Sequence, residues 1–229
     1  MSIIKVDAGL FRIVHTTVST EETRYYLNGV CIEPYPDGGA LLIATDGHRL
    51  LAAHDPQAVC SEVAIINIPK HALAQCKRPK LVDRRELVID VQNALATIND
   101  VKPADAGAAE PIAEMVAAYQ ANVIDGTFPD WRSVVPPAFE DKLKAGASAF
   151  NGAYLKVFGA LTADLNKHFD RSSASLHLAL TDGHSPVVVR WSGIDTVFGV
   201  IMPMRDDVRG FLPAFMTAQP EAVVADKAA

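Results

Sequence analysis

One tetrapeptide, TDGH, occurs twice in the sequence, and each copy lies between two apolar runs. The first copy, Thr45–His48, is part of LLIATDGHRLL, and the second, Thr181–His184, is part of LALTDGHSPVVV. His48 and His54 are six residues apart with Asp46 nearby, so a metal site is conceivable. That spacing matches neither HExxH nor a common zinc pattern, and we therefore predict no metal.

The sequence gives no positive indication of catalysis. It contains no GxGxxG, no GxxxxGK followed by Ser or Thr, and no GxSxG. These motifs hold nucleotide phosphates or present a nucleophilic serine. A Ser/His/Asp triad can be assembled from distant residues, so the sequence leaves that possibility open.

A second candidate site is a concentration of basic residues between Lys70 and Arg85, which only Asp83 opposes. A solvated helix face is one interpretation, and contact with a phosphate backbone is the other. Lys and Arg contacts to phosphate release counterions and carry no sequence information. Few aromatic residues are interleaved, which favours duplex over single-stranded nucleic acid. The residues predicted to contact DNA are Lys70, Lys77, Arg78, Lys80, Arg84, Arg85, Lys156 and Lys167.

The composition is that of a folded protein with one large or two small domains. Of its 229 residues, 49% are hydrophobic, which is enough for a sizeable core. The net charge of −6 argues against a general positive surface but allows a local basic face. The three cysteines form no CxxC pair. With no signal-peptide pattern and no apolar run of ~20 residues, we expect a cytoplasmic protein without a membrane span.

Helical and strand-like patterns follow one another in an order that occurs three times. Helices are predicted over 7–18, 69–78 and 149–169, the first with Asp7 as its N-cap. Each is followed by strand-like runs, and two of these fold about Asp46-Gly47 as a hairpin. TDGH then recurs because related units share a hairpin position. We predict an α+β protein built from repeated helix-plus-antiparallel-strand units.

Other segments interrupt this pattern. The run at 23–33, TRYYLNGVCIE, is typical of a strand. Residues 103–120 are rich in alanine and are predicted as a short inserted helix without a function of its own. Prolines followed by a charged run mark a boundary near residue 138, and the last residues of the chain are predicted to be disordered.

Three motif groups occur in an order and spacing that resemble the bacterial sliding clamp, the β subunit of DNA polymerase III. They are ETRYYLNGV with ATDGHRL shortly after, DGTFPDWRSVVP, and GVIMPMR. The resemblance covers about residues 1–137 and 146–205. It implies a DNA-clamp fold, with helices around duplex DNA and sheets outside. It also implies a protein that is not an enzyme, needs no cofactor, and tethers polymerase or repair proteins to DNA through a hydrophobic pocket for short linear peptides.

The resemblance also assigns this pocket residue by residue. Leu, Val, Met and Pro suit a groove for apolar anchors. The implied pocket residues are Arg24, Leu27, Thr45, Gly47, His48, Leu50, Pro129, Ser133, Val134, Val200, Ile201, Met202, Pro203, Met204 and Arg205. Ser133 stands where the family has arginine, which is expected to weaken peptide binding or alter its selectivity. The tail beyond MPMR starts beside the pocket, and we expect its Phe211, Leu212 and Phe215 to occupy this groove or that of a neighbour.

The sequence is shorter than the three-domain family chain. It divides into 1–137, resembling the middle domain, 138–205, resembling the second half of the last domain, and the tail 206–229. Three half-units expose a sheet edge and an apolar face, so a homo-oligomer is expected. Two functions stay open. One is a shortened sliding clamp on duplex DNA, and the other is a clamp-derived interaction or adaptor protein that does not encircle DNA.

Overall fold

The computed structural model describes residues 2–80, 82–102, 112–136, 149–179 and 184–204. The strands are β1 Ile3–Asp7, β2 Val30–Pro34, β3 Ala40–Thr45, β4 Arg49–Asp55, β5 Ala64–Asn67, β6 Arg84–Asp90, β7 Leu95–Lys102, β8 Ile112–Gln120, β9 Asn122–Ile124, β10 Leu176–Ala179, β11 Val187–Trp191 and β12 Ile194–Ile201. The helices are α1 Ala8–Val14, α2 Lys70–Gln75 and α3 Gly152–His168. In this part of the chain, no helix combines the length and the apolar character that a bilayer crossing needs.

The first helix begins where the sequence predicts it. The carboxylate of Asp7 accepts a hydrogen bond from the Leu10 N–H at 2.9 Å, which satisfies one of the free donors of the first turn. Nearly all of α1 is buried, including Phe11 and Ile13. The helix is therefore part of the core rather than an amphipathic surface helix.

The predicted hairpin at the first TDGH is confirmed, and its own side chains fix the turn. The Thr45 hydroxyl donates to the Arg49 carbonyl at 2.8 Å and accepts from the Gly47 N–H at 3.0 Å. The Asp46 carboxylate accepts the N–H groups of His48 and Arg49, each at 3.0 Å. Gly47 has a φ of +88°, a conformation that favours glycine. In the second copy, Thr181 to Gly183 lie outside the described residues.

The strands form two antiparallel sheets. One has four strands in the order β1-β6-β7-β8, and the other has eight in the order β10-β11-β12-β4-β3-β2-β5-β9. The first unit comprises β1 to β4 with α1, the second β5 to β8 with α2, and the third α3 with β10 to β12. β1 of the first unit pairs with β6, and β5 of the second unit pairs with β2, so the first two units exchange their first strands. The third unit joins the first where β12 pairs with β4, from Val197↔Ala53 to Ile201↔Arg49. The predicted repeat of one helix followed by antiparallel strands is confirmed.

Two glycines allow α3 to pack closely on its neighbours, one in strand β12 of the same unit and one in helix α1 of the first unit. A Cβ on Gly199 of β12 would lie 2.5 Å from Cε1 of Phe158, which is fully buried. A Cβ on Gly9 of α1 would lie 2.6 Å from Nδ1 of His168. An ion pair of 3.0 Å between Arg12 and Asp164 adds a polar contact between the same helices. The third unit is thus docked on the first through both its helix and its last strand.

Two local predictions are wrong. Residues 112–120 form the strand β8, paired with β7 from Leu95↔Gln120 to Lys102↔Ile112, rather than a helix. Residues 25–27 form a 3-10 turn, in which Leu27 N–H bonds to the Arg24 carbonyl, and the predicted strand begins only at Val30. The division near residue 138 and the placement of the tail 206–229 stay predictions, because residues 137–148 and 205–229 lie outside the described residues.

Candidate functional site

An apolar cavity of about 300 Å³ lies where the third unit meets the first. Its walls come from the β3–β4 turn, the segment 129–134 and the end of β12. The lining residues are Arg24, Tyr26, Leu27, Thr45, Gly47, His48, Arg49, Leu50, Pro129, Asp130, Trp131, Ser133, Val134, Val200 and Met202. Segments far apart in the sequence therefore contribute to one concave surface, hereafter the junction pocket, and most of the predicted pocket residues are brought together there.

Four predicted pocket residues are not among this lining. The side chain of Ile201 is fully buried in the core on the helix side of the sheet. Pro203 and the half-exposed Met204 follow the strand, and the Met204 N–H donates to the Ala149 carbonyl at 2.7 Å. Arg205 lies outside the described residues. Consecutive strand residues point to opposite faces, so Val200 can face the pocket only if Ile201 faces away.

Sequence reasoning missed four lining residues: Tyr26, Arg49, Asp130 and Trp131. Each lies within two positions of a predicted pocket residue along the chain. The two aromatic side chains carried a usable signal, because an aromatic residue beside an apolar groove is a common contact in binding sites. The sequence carried no such signal for Arg49 and Asp130, because both residue types are also common in ordinary turns.

The floor of the junction pocket is the sheet face opposite the helices. Leu50 and Val200 are cross-strand neighbours, and both are almost fully buried. They belong to a small apolar cluster with Cys31, Ile43 and Ile65 that is separate from the main core. The exposed apolar side chains of Val134 and Met202 line the same pocket and extend the floor outwards. A contiguous apolar surface of this kind is typical of a binding site.

The charged groups of the rim are already paired within the chain. Arg24 makes two hydrogen bonds to Glu21, at 2.8 and 2.9 Å, and these lower the pKa of the Glu21 carboxyl. Arg49 pairs with Asp46 at 2.9 Å. The Ser133 hydroxyl donates to the Asp130 carbonyl at 2.6 Å. The site therefore offers an apolar surface with a largely neutralised rim.

An aromatic contact ties the pocket turn to the third unit. The His48 ring stacks on the Tyr154 ring of α3, with centroids 5.8 Å apart and planes at 17°. The guanidinium carbon of Arg49 lies 5.1 Å from the centre of the same ring. Because Met202 N–H also donates to the His48 carbonyl at 2.9 Å, the shape of the pocket depends on how the third unit docks.

Three arginines of the predicted DNA-binding set form ion pairs within the chain. Arg85 is 7% exposed, pairs with Asp100 at 2.6 Å, and donates to carbonyl groups at the end of α2. Arg84 pairs with the buried Asp55 at 3.0 Å, and Arg78 pairs with Asp170 at 2.6 Å. The planar arginine fork suits such internal pairs. The predicted DNA contact is least favourable for the buried Arg85, and for Arg78 and Arg84 it stays a prediction.

The predicted lysines behave differently from the arginines. Those at positions 70, 77, 80, 156 and 167 are all exposed. Lys77 and Lys167 line one recess between the helices together with Arg12 and His168. The fold thus brings exposed cations from two distant parts of the sequence to one surface, hereafter the helix face.

Neither the histidines nor the cysteines form a reactive centre in the described part of the chain. His54 bonds to the Gly38 carbonyl at 3.0 Å, and no group of three His, Cys, Asp or Glu residues there is placed to hold a metal. Burial raises the pKa of the Cys31 and Cys76 thiols to about 12, so both stay protonated and unreactive.

The repeated units, the strand exchange and the continuous outer sheet define the class as a DNA-clamp fold. Residues 8–130 match the family described as DNA polymerase III beta subunit, central domain. The chain belongs to this family, as its motifs predict.

Two curated relatives show the extent of the similarity. The beta sliding clamp of Caulobacter vibrioides strain NA1000 is 35% identical over 142 residues, covering 58% of this chain and 34% of the relative. The beta sliding clamp of Escherichia coli K12 is 27% identical over 153 residues, covering 66% and 36%. The chain spans about a third of the length of these relatives.

Solved structures confirm the fold over more of the chain. The Bartonella birtlesii DnaN sliding clamp bound to griselimycin matches with a TM-score of 0.62 at 18% identity, covering 90% of this chain and 66% of that one. The Pseudomonas aeruginosa DNA polymerase sliding clamp with ligand matches with a TM-score of 0.60 at 18% identity, covering 89% and 66%.

Proposed function

We propose that this chain is a sliding-clamp-type processivity factor that binds short linear segments of polymerases or repair proteins in the junction pocket. The observation that carries the proposal is the pocket itself, an apolar cavity of about 300 Å³. Three motifs that are distant in the sequence form its walls. Its chemistry is that of a binding surface rather than of a catalytic centre, and the role is proposed to be non-enzymatic and without a cofactor. A role on bacterial DNA would put the protein in the cytoplasm.

The ligand that fits this pocket is a peptide with apolar side chains. The floor offers Leu50 and Val200, and the rim offers Met202, whose flexible side chain adapts to different ligands. Because the rim arginines are paired and the Ser133 hydroxyl is engaged with the Asp130 carbonyl, little binding energy is available for an acidic group. The affinity is therefore expected to come mainly from apolar burial.

Griselimycin is a suitable probe, since the Bartonella birtlesii clamp structure contains it. We expect saturable binding to the wild-type chain in isothermal titration calorimetry. Val134→Lys and Met202→Lys are expected to weaken binding about tenfold or more, because each places a charge against an apolar ligand. Val63→Lys is the matched control, since Val63 is 61% exposed and does not line the pocket. Absence of binding, or equal affinity in all three variants, contradicts the proposal.

The proposed DNA contact uses the exposed lysines of the helix face. Lys77 and Lys167 lie on the same side as the helices, whereas the junction pocket lies on the opposite face of the sheet. Peptide and duplex DNA can therefore be bound at the same time. The contact is proposed to be with the phosphate backbone and not with particular base sequences.

An adaptor that does not encircle DNA is the second candidate function. The observation in its favour is that no described strand pairs with the outer side of β8, so the described units do not close a ring. Retention on circular but not on short linear duplex DNA separates the two functions, because only a closed ring is held topologically. Equal retention on both substrates favours the adaptor.

A further inference from the structure

The outer edge of the four-stranded sheet carries features that edge strands usually avoid. β8 is nine residues long, and its far side pairs with no described strand. Ile112, Met115 and Val116 are 48%, 65% and 41% exposed. Edge strands are commonly protected by charges, by proline or by shortness. β8 has no proline, and its single charged residue, Glu114, is bound to Lys102 at 2.8 Å.

The repeat indicates what such an edge normally meets. β12 is the last strand of the third unit, and its outer side pairs with β4 of the first unit. β8 holds the same place at the end of the second unit. A second copy cannot offer its β4 to β8, because that strand is already paired with its own β12. The other edge strands of the described residues are shorter: β9 and β10 have three and four residues. β1 has five, and its Lys5 already exchanges backbone hydrogen bonds with Val59.

We propose that β8 is a self-association surface through which two copies pair as antiparallel strands about a two-fold axis near Val116. In this register Ile112 faces Gln120 of the second copy, and Glu114 faces Ala118. The one charged side chain therefore never meets its own copy, and like charges are not opposed. The β7–β8 register shifts at this point, which leaves Val116 opposite no residue of β7. Such a bulge can turn an edge away from partners, but here the residues around it are apolar and exposed.

This contact goes beyond the proposed function and uses a different sheet from the junction pocket. It is isologous, because the same strand is used on both copies. A β8–β8 pair consequently closes on itself as a dimer and does not by itself continue into a larger ring. It would cover the apolar surface that the second unit leaves exposed.

The solution mass is the first test. Light scattering at micromolar concentration is expected to give twice the chain mass of 24.6 kDa for the wild type. Val116→Lys places a charge at the two-fold axis, where it meets its own copy, and is expected to raise the dimer dissociation constant at least about tenfold. Val63→Lys is the matched control and should remain dimeric. A monomeric wild type, or a Val116→Lys variant as dimeric as the control, overturns the proposal.

A crosslink tests the register directly. Residue 116 lies opposite itself at the axis, and paired antiparallel residues have Cα atoms about 4.5–5.5 Å apart, within the range of a disulfide. With Cys60→Ser as background, Val116→Cys is expected to give a covalent dimer on mild oxidation, and Val63→Cys is not. Equal crosslinking of the two variants contradicts the register. Griselimycin binding by Val116→Lys should equal that of the wild type, so loss of the dimer and loss of the pocket are distinguishable.

Discussion

At the scale of single residues, the junction pocket depends on one backbone conformation. Gly47 has a φ of +88°, and a Cβ there would lie 2.5 Å from Nη1 of Arg24. The glycine thus lets the guanidinium lie against the turn, where it stays paired with Glu21. The TDGH motif has two physical roles here, since it turns the hairpin and provides a wall of the pocket.

Gly47→Ala is expected to lower stability by about 1–2 kcal/mol through its backbone conformation and also to weaken griselimycin binding by displacing Arg24. Gly38→Ala separates the two effects. Gly38 has a φ of +102°, but no atom lies within 4 Å of its added Cβ. Urea denaturation should show a similar loss of stability in both variants, and calorimetry should show weaker binding only in Gly47→Ala. Equal binding by the two variants would show that the position of Arg24 does not affect the affinity for griselimycin.

A second residue-scale effect is a pH dependence of the protein's stability that arises from His15. Asn67 Nδ2 donates to the Asn28 carbonyl at 2.6 Å, which leaves Asn67 Oδ1 to accept the Nε2–H of His15 at 2.8 Å. Burial lowers the pKa of His15, and the bond to Asn67 offsets this only in part. The imidazole of His15 therefore binds a proton more readily in the unfolded chain than in the folded chain. Stability is full above about pH 6.5 and falls as the pH drops towards the lowered folded pKa.

We expect His15→Gln to reduce the loss of stability between pH 7.5 and pH 5, since glutamine keeps a donor but does not titrate. Urea denaturation at several pH values measures this. His71→Gln changes an exposed histidine and is the control. Some pH dependence should remain, because burial also lowers the pKa of His168. A His15→Gln profile identical to that of the wild type would rule out His15 as a source.

At the scale of elements, helix α3 packs directly on strand β12 within the third unit. The Phe158 ring lies where a side chain on Gly199 would be. Gly199→Ala is expected to cost about 1–3 kcal/mol, because the buried ring must move within a packed core. Gly159→Ala, in α3 with no atom within 4 Å of its Cβ, should be neutral or stabilising by up to about 1 kcal/mol. Denaturant titrations of both variants test the prediction, and equal stabilities contradict it.

The elements also show how far sequence reasoning reaches. Periodicity and turn chemistry predict α1, α3 and the β3–β4 hairpin, because their signals are local. Strand β8 is not predicted by these local signals. Alanine, glutamate and methionine in IAEMVAAYQ favour a helix, but pairing with β7 decides the outcome. Strand β1 was likewise not predicted, since its partner β6 lies about eighty positions further along the chain.

The same distinction applies to the candidate site. Which motifs meet in the pocket follows from the family resemblance, and the side-chain directions require the strand register. Val200 and Ile201 are adjacent in the sequence but lie on opposite faces of β12. Likewise, charge counting cannot separate Lys77, which is exposed, from Arg85, which is buried beside Asp100.

At the scale of the whole molecule, an acidic chain with a net charge of −6 presents cations on one face. Arg84 and Arg85 form ion pairs within the fold, whereas the lysines of the basic segment are exposed at the surface. Exposed lysines on a face of this kind are expected to attract a phosphate backbone without base recognition. Because the contact would be electrostatic, its dependence on salt is more informative than its affinity at one salt concentration.

The salt dependence of duplex binding is therefore the prediction for the whole molecule. The slope of log K against log salt concentration is negative. In the double variant Lys77→Ala with Lys167→Ala, this slope is expected to become less steep by about 0.9 for each lysine. Lys5→Ala is the matched control. Lys5 is exposed on β1 between the core residues Ile4 and Val6, so it lies on the sheet face away from the helices. Fluorescence anisotropy over a salt series measures the slopes. If the slope becomes less steep in the control by as much as in the double variant, the cations act through net charge, and the helix face has no special role. A change confined to the double variant supports the helix face as the DNA-binding surface.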